Sequence, residues 1–80
     1  MIKTMKNKVT FKGWKVGMQK IPFTKLLNEK GNLSLREAKS VKDRLVNDDE
    51  IITLEFKDED EAKIIYKESK ELGVICELHK

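Results

Sequence analysis

The stretch "NLSLREAKSVKDRLV", residues 32–46, has the pattern of an amphipathic helix with a marked start. Ser34 is followed three residues later by Glu37, which is the spacing of a capping box, so a helix is predicted to begin directly after Ser34. The predicted buried stripe follows at helical spacing: Leu35, Ala38, Val41 and Leu45.

Basic side chains occupy the rest of this helix. Arg36 and Arg44 are predicted to point outward, while Lys39 and Lys42 lie at the borders of the buried stripe. The stretch therefore raises a question of function: this charge either keeps a helix in solution or contacts a partner.

Two more helices and three strands are predicted on either side of this stretch. Strands are indicated at residues 9–16, 51–56 and 74–78, and helices at 20–29 and 58–72. Gly31 and Asn32, which tolerate a left-handed backbone, are expected to close the first helix. Asp58 and Glu61 repeat the capping spacing at the start of the third helix, and Ile64 is predicted to point away from the buried face of that helix.

The first strand, "VTFKGWKV", changes its pattern in the middle. Val9 and Phe11 share one parity, whereas Trp14 and Val16 share the other. A bulge at Gly13 would let both pairs reach the core.

The resulting order is β-α-α-β-α-β, an α+β fold of two layers. We expect a three-stranded, mainly antiparallel sheet with all three helices on one face, because that arrangement buries one stripe per helix. A right-handed crossover through the third helix would place strand one between strands two and three. Residues 1–8 are predicted to form a basic flexible arm, and residues 9–80 a single α/β domain.

Charge is distributed unevenly along this small basic protein. Residues 1–40 contain ten Lys or Arg against two acidic residues, and residues 41–80 contain seven against twelve, so the halves carry +8 and −5. Such asymmetry predicts a basic side that attracts an acidic partner, either protein or nucleic acid.

The residues that most often carry chemistry have simpler explanations here. Cys76, the only cysteine, is expected to be a core thiol, and His79 an exposed residue at a strand end. A single cysteine excludes an internal disulfide and indicates a reducing compartment, so the protein is expected in the cytoplasm. No apolar run is long enough to span a bilayer, and no membrane partner is expected. We predict no catalytic residue, no cofactor and no metal site, and hence no enzyme.

At "LREAK", residues 35–39, the sequence resembles the C-terminal domain of the bacterial large-subunit ribosomal stalk protein, whose pattern there is Leu-Lys-Glu-Ala-Lys. The resemblance runs from residue 20 to residue 39 and resumes at "EAKIIYKESKELGVICEL", residues 61–78, covering about half of the chain. The adaptor of the Clp protease belongs to the same fold class. Its Asn-Asp-Asp motif after the first strand is absent from "GMQK", residues 17–20.

The stalk domain recruits translation GTPases through a face made by its first two helices. The resemblance therefore implies a partner-binding face at Lys20, Ile21, Thr24, Lys25, Asn28, Arg36 and Lys39. Thr24, Asn28 and Lys42 stand where the family has isoleucine, arginine and valine, so the identity of the partner stays open.

Three hypotheses of function follow. The favoured one is a protein-binding module that docks an acidic or mixed protein surface, with a translation GTPase as one possible partner. The second is a small nucleic-acid-associated protein in which lysines track phosphates while Phe11 or Trp14 stacks on bases. The third is a stand-alone inhibitor or regulator from a mobile element, in which the fold is only a scaffold.

Overall fold

The computed structural model describes residues 7–79 and contains three strands and three helices. They are β1 (Lys8–Trp14), α1 (Lys20–Glu29), α2 (Leu35–Asn47), β2 (Ile52–Glu55), α3 (Glu59–Glu71) and β3 (Val74–Leu78). The strands form one sheet in the order β2-β1-β3, and both pairs are antiparallel. The predicted α+β fold is thus confirmed, with β1 in the centre of the sheet.

The first two described residues, Asn7 and Lys8, belong to the arm that was predicted at residues 1–8. Residues 1–6 of that predicted arm lie outside the described residues. The Phe56 N–H donates to the Asn7 carbonyl at 2.8 Å, and Lys8 is the first residue of β1. Lys8 is therefore part of the sheet, and Asn7 is hydrogen-bonded to the residue that follows β2.

The predicted bulge in β1 is present. The register of β1 against β3 shifts between Phe11 and Gly13, so that Phe11 pairs with Cys76 and Gly13 pairs with Ile75. The bulge brings Trp14 against the core, where it is half-buried. Val16 was expected there too, but this is wrong: β1 ends at Trp14, and Val16 is fully exposed.

Both long helices begin as their sequences predict. Ser34 caps α2 by accepting from the Glu37 N–H, and the Glu37 carboxylate accepts from the Ser34 N–H at 3.0 Å, which completes the capping box. Asp58 caps α3 in the same way, since its carboxylate accepts from the Glu61 N–H at 2.8 Å. These bonds satisfy amides that have no partner within the helix.

The core lies between the helices and one face of the sheet. Phe11 of β1 meets Phe23 of α1 edge to face, with ring centroids 5.5 Å apart. Ala38 and Leu45 of α2 and Ile65 of α3 are completely buried beside them. Each helix thus contributes one apolar stripe, as the two-layer architecture requires.

Two residues form the turn between α1 and α2, and each is required for a different reason. Asn32 adopts the left-handed conformation, with φ of 60°. Gly31 does not, but a side chain there would meet the Leu27 carbonyl oxygen at 2.7 Å. Gly31 is therefore explained by close packing and not by the left-handed backbone that the sequence suggested.

Candidate functional site

A groove between α1 and α2 brings together part of the predicted face. Its volume is about 250 Å³. The lining residues are Ile21, Thr24, Lys25, Leu35, Lys39, Lys42 and Asp43. Four of the seven residues of the predicted face line it, namely Ile21, Thr24, Lys25 and Lys39.

Two exposed aliphatic side chains make the groove apolar. Ile21, in the first turn of α1, is 73% exposed, and Leu35, the first residue of α2, is 51% exposed. Leu35 was predicted to be buried, and this is wrong, because the core beneath α2 is formed by Ala38, Val41 and Leu45. Aliphatic surface on two neighbouring helices is a suitable anchor for an apolar side chain of a partner.

Lysines surround this apolar surface. Lys25 and Lys39 are both exposed, and within residues 7–79 neither has a carboxylate at ion-pair distance. Lys42 is partly neutralised by Asp43, whose carboxylate lies 2.6 Å from the ammonium nitrogen. The rim of the groove is therefore basic and favours an acidic ligand.

Two residues of the predicted face hold the groove in shape. Thr24 is only 7% exposed and forms the floor, where its hydroxyl donates to the Lys20 carbonyl at 3.0 Å. The Asn28 side chain donates to the Leu33 carbonyl at 2.8 Å, which fastens the end of α1 to the turn before α2. Both polar side chains thus have internal hydrogen-bond partners.

Lys20 and Arg36 lie outside the groove. The Lys20 ammonium stands 5.7 Å from the centroid of the Trp14 ring, a cation–π contact at the start of α1. Arg36 lines a different cleft, of about 600 Å³, which opens between α2 and the β2 side of the molecule. Arg36 also shares a depression on α2 with Leu35 and Lys39, so it adjoins the groove. The predicted face is therefore spread over several neighbouring places.

Sequence reasoning missed three groove residues. Lys42 had been placed at the border of the buried stripe and as a departure from the family pattern, Leu35 had been placed in the core, and Asp43 had not been assigned to the face. The sequence contained a sign that Leu35 is exposed, because Leu35 is the first residue of α2 and the buried stripe of α2 is complete without it. The sequence alone does not show which neighbour covers a first turn.

Cys76 and His79 lie on opposite faces of the sheet. The Cys76 thiol points to the helix side, 3.5 Å from the Tyr66 carbonyl oxygen, and burial raises its pKa to about 11, with a smaller opposing effect of Lys70. The His79 ring was expected to be exposed, but it is half-buried because its Nε2 lies 2.6 Å from the Thr10 hydroxyl on the open face. The two side chains therefore do not form a catalytic pair.

The aromatic residues considered for base stacking are placed differently from each other. Phe11 is completely buried, so its ring cannot stack on a nucleotide. Trp14 is half-buried beneath Lys20. Within residues 7–79 there is no group of three or more His, Cys, Asp or Glu arranged to hold a metal ion, and no helix there has the length and apolarity that a bilayer crossing requires.

Comparisons with known proteins give no relative. No family model matches the sequence, and no curated protein or solved structure is significantly similar to it. The resemblance to the ribosomal stalk domain remains a prediction, and function has to be argued from the groove itself.

Proposed function

We propose that the chain is a non-catalytic protein-binding module that docks an acidic segment of a partner protein in the α1–α2 groove. The observation that carries this proposal is the position of Ile21 and Leu35, two largely exposed aliphatic residues on neighbouring helices, within a rim of lysines. In such a contact, buried apolar side chains slow dissociation, while the surrounding charges orient the partner and accelerate association.

The resemblance makes a translation GTPase the first partner to test. A cytoplasmic location would fit such a partner. Residues 1–40, which contain α1 and the first turn of α2, carry the positive half of the chain, so long-range attraction also favours an acidic protein. The buried position of Phe11 favours a protein partner over single-stranded nucleic acid, since base stacking would need an accessible ring.

The test is a comparison of two matched double charge reversals. Lys25→Glu with Lys39→Glu changes two residues that line the groove, whereas Lys20→Glu with Arg36→Glu makes the same change of net charge at two residues that do not line it. Affinity capture from the native host, with and without nuclease, would identify the bound protein, and purified partner would then be titrated.

We expect the groove reversal to slow association and to weaken binding by about tenfold, since exposed rim charges act mainly on the encounter rate. The Lys20 and Arg36 reversal should have a much smaller effect. If both reversals weaken binding equally, only the overall charge matters and the groove is not the docking site.

A second pair of variants tests the apolar anchor. Leu35→Ala should increase the dissociation rate by about tenfold, because the transfer energy of a buried aliphatic side chain is lost. Ile64→Ala on α3, where the side chain is also exposed, should leave binding unchanged. Loss of the captured partner on nuclease treatment would replace the proposal by the nucleic-acid hypothesis.

A further inference from the structure

The second surface with binding capacity is the outer edge of β3. Residues 7–79 provide no strand beyond β3, which pairs only with β1. The His79 N–H donates to the Lys8 carbonyl at 3.0 Å, and hydrogen-bonded positions alternate along an antiparallel pair. The main-chain N–H and C=O groups of Cys76 and Leu78 therefore point away from β1, toward the free edge.

The features that usually protect an edge strand are missing from β3. Natural edge strands carry proline, lysine or a bulge that prevents pairing with another chain. The sequence of β3, "VICEL", contains neither proline nor lysine, and the bulge of this strand pair lies in β1. Its one charged residue, Glu77, is on the open face of the sheet, where it pairs with Lys12 at 3.1 Å. An extended chain can therefore approach this edge.

Helix α3 makes the approach to this edge basic. A depression of about 590 Å³ is lined by Lys63, Tyr66, Lys67, Glu77 and Leu78. Lys70 belongs to the same side of α3, since its ammonium lies 5.0 Å from the centroid of the Tyr66 ring. Glu59 offsets part of this charge, with its carboxylate 3.7 Å from Lys63.

Two other acidic residues of α3, Glu61 and Glu68, face away from the β3 edge. The Glu61 carboxylate accepts from Asn32 at 2.8 Å, and Glu68 pairs with Lys30 at 2.9 Å, so both face the turn that follows α1. The helix thus separates its charges, with lysines toward the free strand edge and these carboxylates toward α1.

We infer that the β3 edge binds an extended acidic segment of another protein, which adds to the sheet as a fourth strand. Main-chain hydrogen bonds to Cys76 and Leu78 hold the segment, as in other cases of strand addition. Side chains alternate along a strand, so every second residue of the segment faces the lysines of α3. The residues between them lie beside Ile75, which is 44% exposed on the open face. The preferred segment therefore alternates acidic and aliphatic residues.

A second copy of this chain fits the edge less well. Pairing of β3 with itself would bring the α3 helices of two copies side by side, each with Lys63, Lys67 and Lys70 toward the shared edge. Like charges at close range oppose such a dimer, whereas an acidic segment removes the repulsion.

The experiment uses the full chain and a short, end-capped peptide of alternating glutamate and valine. NMR titration should show amide shifts at Cys76 and Leu78, together with affinity that falls as salt is added. The same peptide N-methylated at every second residue, which removes the main-chain donors on one edge, should not bind.

Charge variants separate this site from the α1–α2 groove. Lys63→Glu with Lys67→Glu should weaken peptide binding by about tenfold, while Lys25→Glu with Lys39→Glu should leave it unchanged. The inference is overturned if the peptide fails to bind, if its shifts map to α1 and α2, or if the N-methylated peptide binds equally well. It is also overturned if the chain without peptide forms a dimer with protected β3 amides. Shifts confined to α1 and α2 would assign the peptide to the groove, whereas the other outcomes concern the β3 edge alone.

Discussion

Replacing Gly31 by alanine tests the packing of the turn between α1 and α2. A Cβ atom at this position would lie 2.7 Å from the Leu27 carbonyl oxygen and 3.2 Å from both the Leu27 Cα and the Phe56 ring. The Leu27 carbonyl also accepts the Leu33 N–H at 3.2 Å. Two of the three crowded atoms belong to the backbone of α1, so the last turn of the helix has to move.

The expected cost combines two effects. Forcing a methyl group into a packed site costs about 1–3 kcal/mol, and weakening the hydrogen bond from Leu33 to Leu27 adds about 1 kcal/mol. Gly31→Ala should therefore lower the free energy of unfolding by about 2–4 kcal/mol. For a domain of this size, 1 kcal/mol corresponds to roughly 4–8 °C, so Tm should fall by at least about 8 °C.

Gly17→Ala is the matched control. Gly17 has φ of 91°, and no atom lies within 4 Å of the added Cβ. The conformational strain of about 1–2 kcal/mol is partly offset by the lower entropy of the unfolded chain, which leaves a net cost of about 1 kcal/mol. Urea and thermal unfolding of both variants, followed by circular dichroism, would measure the difference. If Gly31→Ala costs no more than Gly17→Ala, the close approach to Leu27 is not present in solution.

Four further predictions concern single side chains. Ser34→Ala should lower the free energy of unfolding by about 1 kcal/mol in urea titrations, because the first amides of α2 lose their cap. Hydrogen bonds from the Ser34 backbone and side chain hold the pKa of Glu37 below its ordinary value. The stabilisation by the Glu37 charge is therefore fully present at pH values above the ordinary pKa of a glutamate, and it is lost as the pH falls through the lowered pKa. Glu37→Gln and the parent chain should therefore converge in Tm in acid. Ser69→Ala should raise the free energy of unfolding by about 1 kcal/mol, since the Ser69 hydroxyl is completely buried and has no hydrogen-bond partner within residues 7–79; a loss of stability would show that this hydroxyl is bonded in solution. Cys76, with its pKa raised to about 11, should react with iodoacetamide at neutral pH far more slowly than in the urea-unfolded chain, and equal rates would contradict its burial.

The fold could be predicted because its signals are local. The capping residues Ser34 and Asp58 each act on an amide three residues away, and both were identified from spacing alone. The bulge at Gly13 was visible as a change of parity within one strand. The order of the strands followed from the crossover through α3, which leaves β2 and β3 parallel, so that β1 lies between them and antiparallel to both.

Exposure at the ends of elements could not be predicted in the same way. Val16 and Leu35 continue the patterns of their strand and helix, but a pattern shows only which side of an element is apolar. Whether that side is covered depends on where the neighbouring elements end. β1 ends at Trp14 and leaves Val16 uncovered, and the core beneath α2 begins at Ala38, which leaves Leu35 in the groove.

The distribution of charge along the sequence differs from its distribution on the surface of the folded molecule. The sequence assigns the positive charge to residues 1–40 and a net negative charge to residues 41–80, which contain α3. In the structure the two halves do not form two faces. Glu61 and Glu68 extend from α3 to Asn32 and Lys30, which reduces the positive charge near the turn after α1. Lys63 and Lys67 then form a basic patch within the acidic half, beside the free edge of β3. A count along the chain therefore points to one basic surface, whereas in residues 7–79 lysines lie both around the groove and beside the β3 edge. The lysine reversals in the groove and on α3 can be measured independently, because the two surfaces share no residue.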